Sequence, residues 1–278
     1  MQFFSRLTAF LISVIMTVFP CLDYSPESDD IRLNAAIISD THIDTRLPCG
    51  KYLLERAFLD MNGCSVPTDA VIVTGDLTNY GDDASVEDFF RILTESSKAK
   101  NAIITMGNHD IGHTEDLGMT NQQARDRFIR MHNEYLGTEL DKPYYSYVVN
   151  GYKFIVICDE SEDRWDTYEI YDEQIAWLDR ELADGTKDGL PAFVICHEPY
   201  EGINGKLTEK VFGFCCVETV DGVNCITLPT YLLVNRYGLP GNGLGFQMEV
   251  YSDRVVLRAR NFITSKWYLP YKFTIDLV

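Results

Sequence analysis

Four short apolar runs in this chain each lead directly into residue types that bind metal ions. Residues 35–39 run into Asp40-Thr41-His42, and 70–74 into Gly75-Asp76. Residues 102–106 run into Gly107-Asn108-His109-Asp110, and 192–196 into His197. A single carboxylate after such a run is usually a turn or a helix cap. Four endings in order, supplying carboxylate, imidazole and amide oxygen, point to one divalent-metal centre. Asp40 and His42, one residue apart, can face one ion across a tight turn. Asp76 has two carboxylate oxygens and can bridge two ions about 3.5–4 Å apart. Asn108 adds a neutral carbonyl oxygen and His197 an imidazole. Mixed nitrogen and oxygen donors suit iron, manganese or zinc better than calcium. Gly75 and Gly107 permit the tight backbone that presents the side chain after them.

The elements that must position these residues are legible as alternation. The four runs, with a fifth at 154–158, are too short for helices and rich in Ile and Val, so they predict strands buried on both faces. Amphipathic stretches predict helices at 51–61, 86–95, 121–136 and 172–183, the last with Asp172 as its cap. Asn150-Gly151 between 144–149 and 152–157 predicts a two-residue hairpin. Strands are expected again at 223–228, 244–251, 254–260 and 271–277, with turns at Asp221-Gly222 and Ser252-Asp253. In open α/β sheets ligands gather at the carboxyl ends of strands, which is where the metal-binding types lie. The expected fold is α/β, two packed sheets with helices outside, in one domain over 31–278.

The formal net charge of −18 excludes broad nucleic-acid binding, because a polyanion meets a repulsive mean field. It leaves room for a phosphate ester over bound cations, which invert the local potential. Arg6 followed by the apolar run 7–19 reads as a targeting segment. As a helix that run spans about 20 Å, short of a bilayer core. Residues 1–22 are therefore expected to be a signal peptide or short anchor, the one route to a membrane, on a secreted or cell-surface protein. Residues 23–30 read as an acidic linker. None of the eight cysteines forms C-x-x-C, which argues against a structural zinc site of that type. Cys158 and Cys196 are expected to be buried thiols, and Cys49 and Cys64 could pair in an exported protein. His113 reads as a loop residue, His132 as a surface residue on its helix, and Tyr144, Tyr145, Tyr147 and Tyr152 as sheet packing.

The ordered set D-x-H, G-D, G-N-H-D and a lone His after a strand resembles the motif set of calcineurin-like metallophosphoesterases, over roughly 35–260. The resemblance implies a double β-sandwich flanked by helices, two divalent ions (Mn, Fe or Zn), and hydrolysis of a phosphodiester or phosphomonoester by a metal-activated water. Its substrate would be a small-molecule or macromolecular phosphate ester. Asp40, His42 and Asp76 would hold the first ion, and Asp76, Asn108 and His197 the second. His109 would stabilise the transition state or protonate the leaving oxygen, with Asp110 orienting it. The family also carries a final G-H-x-H. This chain has five histidines and none follows His197. Cys215, Cys216 and Glu218 are the local candidates to substitute. The other reading is a degenerate member with an impaired site that binds a ligand or partner.

Overall fold

The computed structural model describes residues 24–111, 114–162, 168–198, 216–232 and 243–277. The predicted strands form. β1 (Leu33–Ile38), β2 (Ala70–Thr74) and β3 (Asn101–Thr105) are parallel neighbours. β4 (Tyr145–Val149) and β5 (Tyr152–Val156) make the hairpin, turning at Asn150 and Gly151 with φ of 51° and 88°. Two successive residues with positive φ are what a type I′ turn needs. β6 (Ala192–Ile195) runs parallel to β5. β7 (Cys216–Val220) and β8 (Val223–Thr227) form a separate hairpin through Asp221-Gly222. β9 (Leu244–Val250), β10 (Arg254–Asn261) and β11 (Lys266–Asp276) form an antiparallel meander. β9 joins β1, giving a six-stranded sheet in the order β11-β10-β9-β1-β2-β3, opposite a three-stranded sheet β4-β5-β6.

Alternation along the strands splits the core in two. Leu33, Ala35, Ile37, Ala70 and Ile72 face the second sheet, where Tyr145, Phe154 and Val156 meet them. Ala36, Ile38, Val71 and Val73 face the helices. Those helices are α1 (Pro48–Met61), α2 (Asp83–Ser96), two short turns α3 (Asn108–Ile111) and α4 (Thr114–Leu117), α5 (Asn121–Leu136) and α6 (Asp172–Gly185). Phe58, Phe89, Phe90 and Phe128 fill the helical layer, each worth about 1.5–3 kcal/mol of burial. Asp82 caps α2, and Thr120 with Gln123 forms a reciprocal capping box on α5.

Several expectations are corrected. Within the expected acidic linker, residues 24–28 are docked on the fold. The Tyr24 hydroxyl donates to Gln247 Oε1 at 2.5 Å, and its ring lies 3.7 Å from the Arg260 guanidinium. The Glu27 and Ser28 amides donate to Glu249 and the Tyr251 hydroxyl. The buried carboxylate of Glu249 needs such donors, and the strap supplies one. Asp172 lies inside the first turn of α6 and makes no cap bond, so it acts through the helix dipole. β6 is not buried on both faces: Val194 is 41% exposed on this outer strand. His132 is buried, 1% exposed, between Thr138 Oγ1 and the Tyr145 hydroxyl. Cys158 is buried but Cys196 only half-buried, and Cys49 and Cys64 are unpaired. No helix among the described residues is long and apolar enough to cross a membrane. The expected targeting segment 1–22 and His113 lie outside the described residues.

Candidate metal centre

The loops after β1 and β2 leave the sheet side by side. The Asp40 amide donates to the Gly75 carbonyl at 3.0 Å and the His42 amide to the Asp76 carbonyl at 2.9 Å. The Thr41 hydroxyl donates to the Leu77 carbonyl at 2.8 Å. Asp40, His42 and Asp76 have φ of 56°, 42° and 48°, left-handed conformations that side chains other than glycine rarely adopt. Backbone strain of this kind clusters where surrounding structure holds a functional geometry.

Two glycines clear the space. Gly75 has φ 89°, and a Cβ there would meet the His197 ring at 2.7 Å. Gly107 serves by close approach: a Cβ would strike the Asp76 carboxylate and amide, and His197 Cδ2 at 2.9 Å. The α3 turn then brings Asn108 and His109 to Asp76.

Asp76 is the hub. Its Oδ1 accepts the His109 amide at 2.9 Å and lies 3.4 Å from His197 Nε2. Its Oδ2 lies 3.7 Å from His42 Nε2, which is 3.6 Å from Asp40 Oδ1. His197 Nε2 is 3.2 Å from Asn108 Oδ1. Donor atoms of Asp40, Asp76 and His197 fall within 4.8 Å of one another, and so do those of His42, Asp76 and His109. The two groups share Asp76.

The proton inventory fits cations. His197 Nδ1 lies 2.8 Å from the Thr74 carbonyl, which only accepts, so Nδ1 carries the hydrogen. In the neutral ring Nε2 then aims a lone pair at two oxygen acceptors, a contact that a cation satisfies. Both ring nitrogens of His42 are buried and have no hydrogen-bond partner. A buried imidazole facing two carboxylates at 3.6–3.7 Å, too far to bond, suits an ion between them. Burial alone would raise the Asp76 carboxyl, but the imidazoles of His197, His42 and His109 hold it below its ordinary value. Burial alone would lower His197, but Asp76 and Asp40 hold it well above.

The structure brings Asp40, His42, Asp76, Asn108, His109 and His197 together. It corrects the expected role of Asp110. Both Asp110 oxygens accept from Leu77, Thr78 and Gly107, so this carboxylate ties the second loop to the third. The His109 ring is oriented by the Asn79 carbonyl, 2.9 Å from Nδ1. Sequence reading missed Asn79, since a backbone carbonyl leaves no mark in residue type. It also passed over Glu198, beside His197, whose carboxyl burial pushes up to about 7. Glu218 lies on β7 and joins neither ligand group. Cys215 and the side chain of Cys216 lie outside the described residues.

A family model described as calcineurin-like phosphoesterase matches residues 33–226. No curated protein matches. Among solved structures, a predicted phosphoesterase from Streptococcus pneumoniae shares 11% identity, covering 88% of this chain and 97% of that one, with a TM-score of 0.43. A Vps29 variant from Entamoeba histolytica shares 11%, covering 88% and 100%, with a TM-score of 0.42. A novel archaeal phosphodiesterase shares 17%, covering 87% and 100%, with a TM-score of 0.38.

Proposed function

The chain belongs to the calcineurin-like phosphoesterase family, and from that membership we propose that it is a metal-dependent hydrolase of phosphate esters. The observation that carries the proposal is the pair of ligand groups meeting at Asp76, with the His197 ring held on Thr74 so that Nε2 faces the oxygens of Asp76 and Asn108. Asp40, His42 and Asp76 would hold one ion, and Asp76, Asn108 and His197 the other. Divalent ions bound there would neutralise phosphoryl charge and make water nucleophilic at neutral pH. The chain's own part is to hold the ligands. Thr74 fixes the His197 tautomer, Asp110 fixes the spacing of two loops, and Gly75 and Gly107 admit the His197 ring.

A specific observation keeps a second reading in view. No histidine follows His197, so each ion would lack one donor that the family motif supplies. Fewer protein ligands mean weaker retention. The expected enzyme is therefore weakly metallated, with activity that rises as manganese or zinc is added. The second reading is a degenerate member that binds a ligand or partner without turnover. Metal analysis of the purified chain, with assays on an aryl phosphodiester and an aryl phosphomonoester, separates them. Hydrolysis that survives exhaustive chelation and dialysis would reject the metal mechanism. No metal uptake and no turnover at any added metal would favour the second reading.

We also propose export to the exterior or the cell surface, supported by Arg6 and the apolar run 7–19. Recovery of the chain with Met1 intact from the cytoplasm would reject it.

A further inference from the structure

We propose that the outer edge of β11 pairs with the same edge of a second copy of this chain, antiparallel and centred on Thr274, so that two six-stranded sheets become one. The inference is independent of the metal centre and of hydrolysis. Among the described residues β11 is the last strand of its sheet, with β10 on one side and no strand on the other. A row of backbone N–H and C=O groups on such an edge is a template for another strand.

The hydrogen-bond phase tells which residues offer those groups. The Leu277 amide donates to the Asp253 carbonyl, so Leu277 bonds toward β10. On the other side of β10, the Tyr251 amide donates to the Arg254 carbonyl, so Arg254 bonds toward β9 and Val255 toward β11. Val255 stands opposite Ile275, and Leu257 opposite Phe273. Phe273, Ile275 and Leu277 thus commit their backbone groups to β10, while Lys272, Thr274 and Asp276 turn theirs outward. An antiparallel partner must match outward residues with outward residues. Centred on Thr274, the register sets Thr274 against Thr274 of the second copy and Lys272 against Asp276 of the second copy, and the reverse. Each of these pairs exchanges two N–H···O bonds. Side chains directly opposite share a face, with Cβ atoms about 4.5–5.5 Å apart, so the opposite charges meet. Sliding either way to the next register in phase sets Lys272 or Asp276 against Thr274 and loses both ion pairs.

A lone lysine on an edge discourages pairing, but Lys272 followed by Asp276 on the same phase makes the edge complementary to itself. Lys272 touches Glu27 at 2.7 Å, yet its side chain is still 48% exposed. The other face gains too. Phe273, Ile275 and Leu277 are only half-buried against the core between the sheets, and the register brings Phe273 beside Ile275 of the second copy. The formal charge of −18 on each copy opposes association. At 0.15 M salt that repulsion is screened beyond about 8 Å, whereas the paired edges meet inside that distance.

Sedimentation equilibrium of the full chain at about 0.15 M salt, from about 1 to 100 μM, is expected to show monomer and dimer in equilibrium. Lys272→Glu and Asp276→Lys each set like charges opposite one another, and each should weaken the dimer about tenfold. Lys272→Glu combined with Asp276→Lys reverses both pairs and should restore the dissociation constant to within about threefold. The combined variant keeps the effects of both changes inside the chain, including the lost Glu27 contact, so its recovery reads the contact between copies. Thr274→Pro deletes an outward N–H that β10 does not use, and should give a monomer with normal far-UV circular dichroism. An unmodified chain that is monomeric at about 100 μM would overturn the proposal. So would a dimer that Thr274→Pro and the single charge changes leave intact, or one that the combined variant fails to restore. Should Thr274→Pro unfold, the charge variants decide.

Discussion

Asp110 grips Thr78 twice, its Oδ1 accepting both the amide and the hydroxyl at 2.9 Å. Its Oδ2 takes the amides of Leu77 and Gly107. One buried carboxylate thus sets the distance between the loop bearing Asp76 and the loop bearing Asn108. Asp110→Asn would turn an NH2 group toward at least one of these N–H donors. The expected cost is about 1–3 kcal/mol in urea unfolding, with weaker metal retention. Stability and metal content both equal to the unmodified chain would show that the clamp is dispensable.

Asp76 faces both ligand groups, whereas Asn108 faces one. Asp76→Asn should therefore release more metal than Asn108→Ala under the same dialysis, measured by elemental analysis. Equal release from the two variants would argue against a shared carboxylate.

Glycine at 107 is a matter of space, and glycine at 189 of conformation alone. Gly107→Ala would press a methyl group into Asp76 and His197. Gly189 has φ 72° and nothing within 4 Å of an added Cβ. Metal binding should collapse in Gly107→Ala while far-UV circular dichroism stays near normal. Gly189→Ala should lose about 1 kcal/mol of stability and keep its metal. Normal metal binding in Gly107→Ala would contradict the close approach.

Burial pulls the buried imidazole of His132 down to about 4, from an ordinary 6.5. The unfolded chain binds this proton more readily, so between pH 6.5 and 4 stability rises with pH and is lost on acidification. Below the folded value the loss from this group is complete, about 3 kcal/mol. His132→Phe keeps an aromatic ring beside Phe128 and removes the titration. Its unfolding free energy should fall less steeply than that of the unmodified chain from pH 6.5 to 4. Identical slopes would assign the acid sensitivity to other groups.

The strands were legible because β1, β2 and β5 are buried on both faces, so apolar residues dominate them, with Asn34 and Lys153 as interruptions. The site's main residues were legible because they follow those strands directly. What stayed hidden depends on contacts that residue type does not encode. His132 lies on an amphipathic helix, and only the arrival of Tyr145 from the second sheet buries it. The acidic composition of 23–30 suggested solvent, yet Tyr24 is held between Arg260 and Trp267, residues more than 230 positions away. The partner of His109 is a carbonyl, and the partners of Asp110 are mostly amides, so neither role could be read from side chains.

The left-handed backbone at Asp40, His42 and Asp76 has a thermal consequence. Each such residue costs about 1–2 kcal/mol relative to a relaxed conformation, and the three lie on two adjoining loops. A species bound only by the folded chain raises its melting temperature in proportion to the logarithm of its free concentration. With the loops already held in place by the Asp110 clamp and the paired backbone, little of that gain is spent on ordering them. The melting temperature of this chain is thus a direct gauge of what fills the cleft, legible without any substrate.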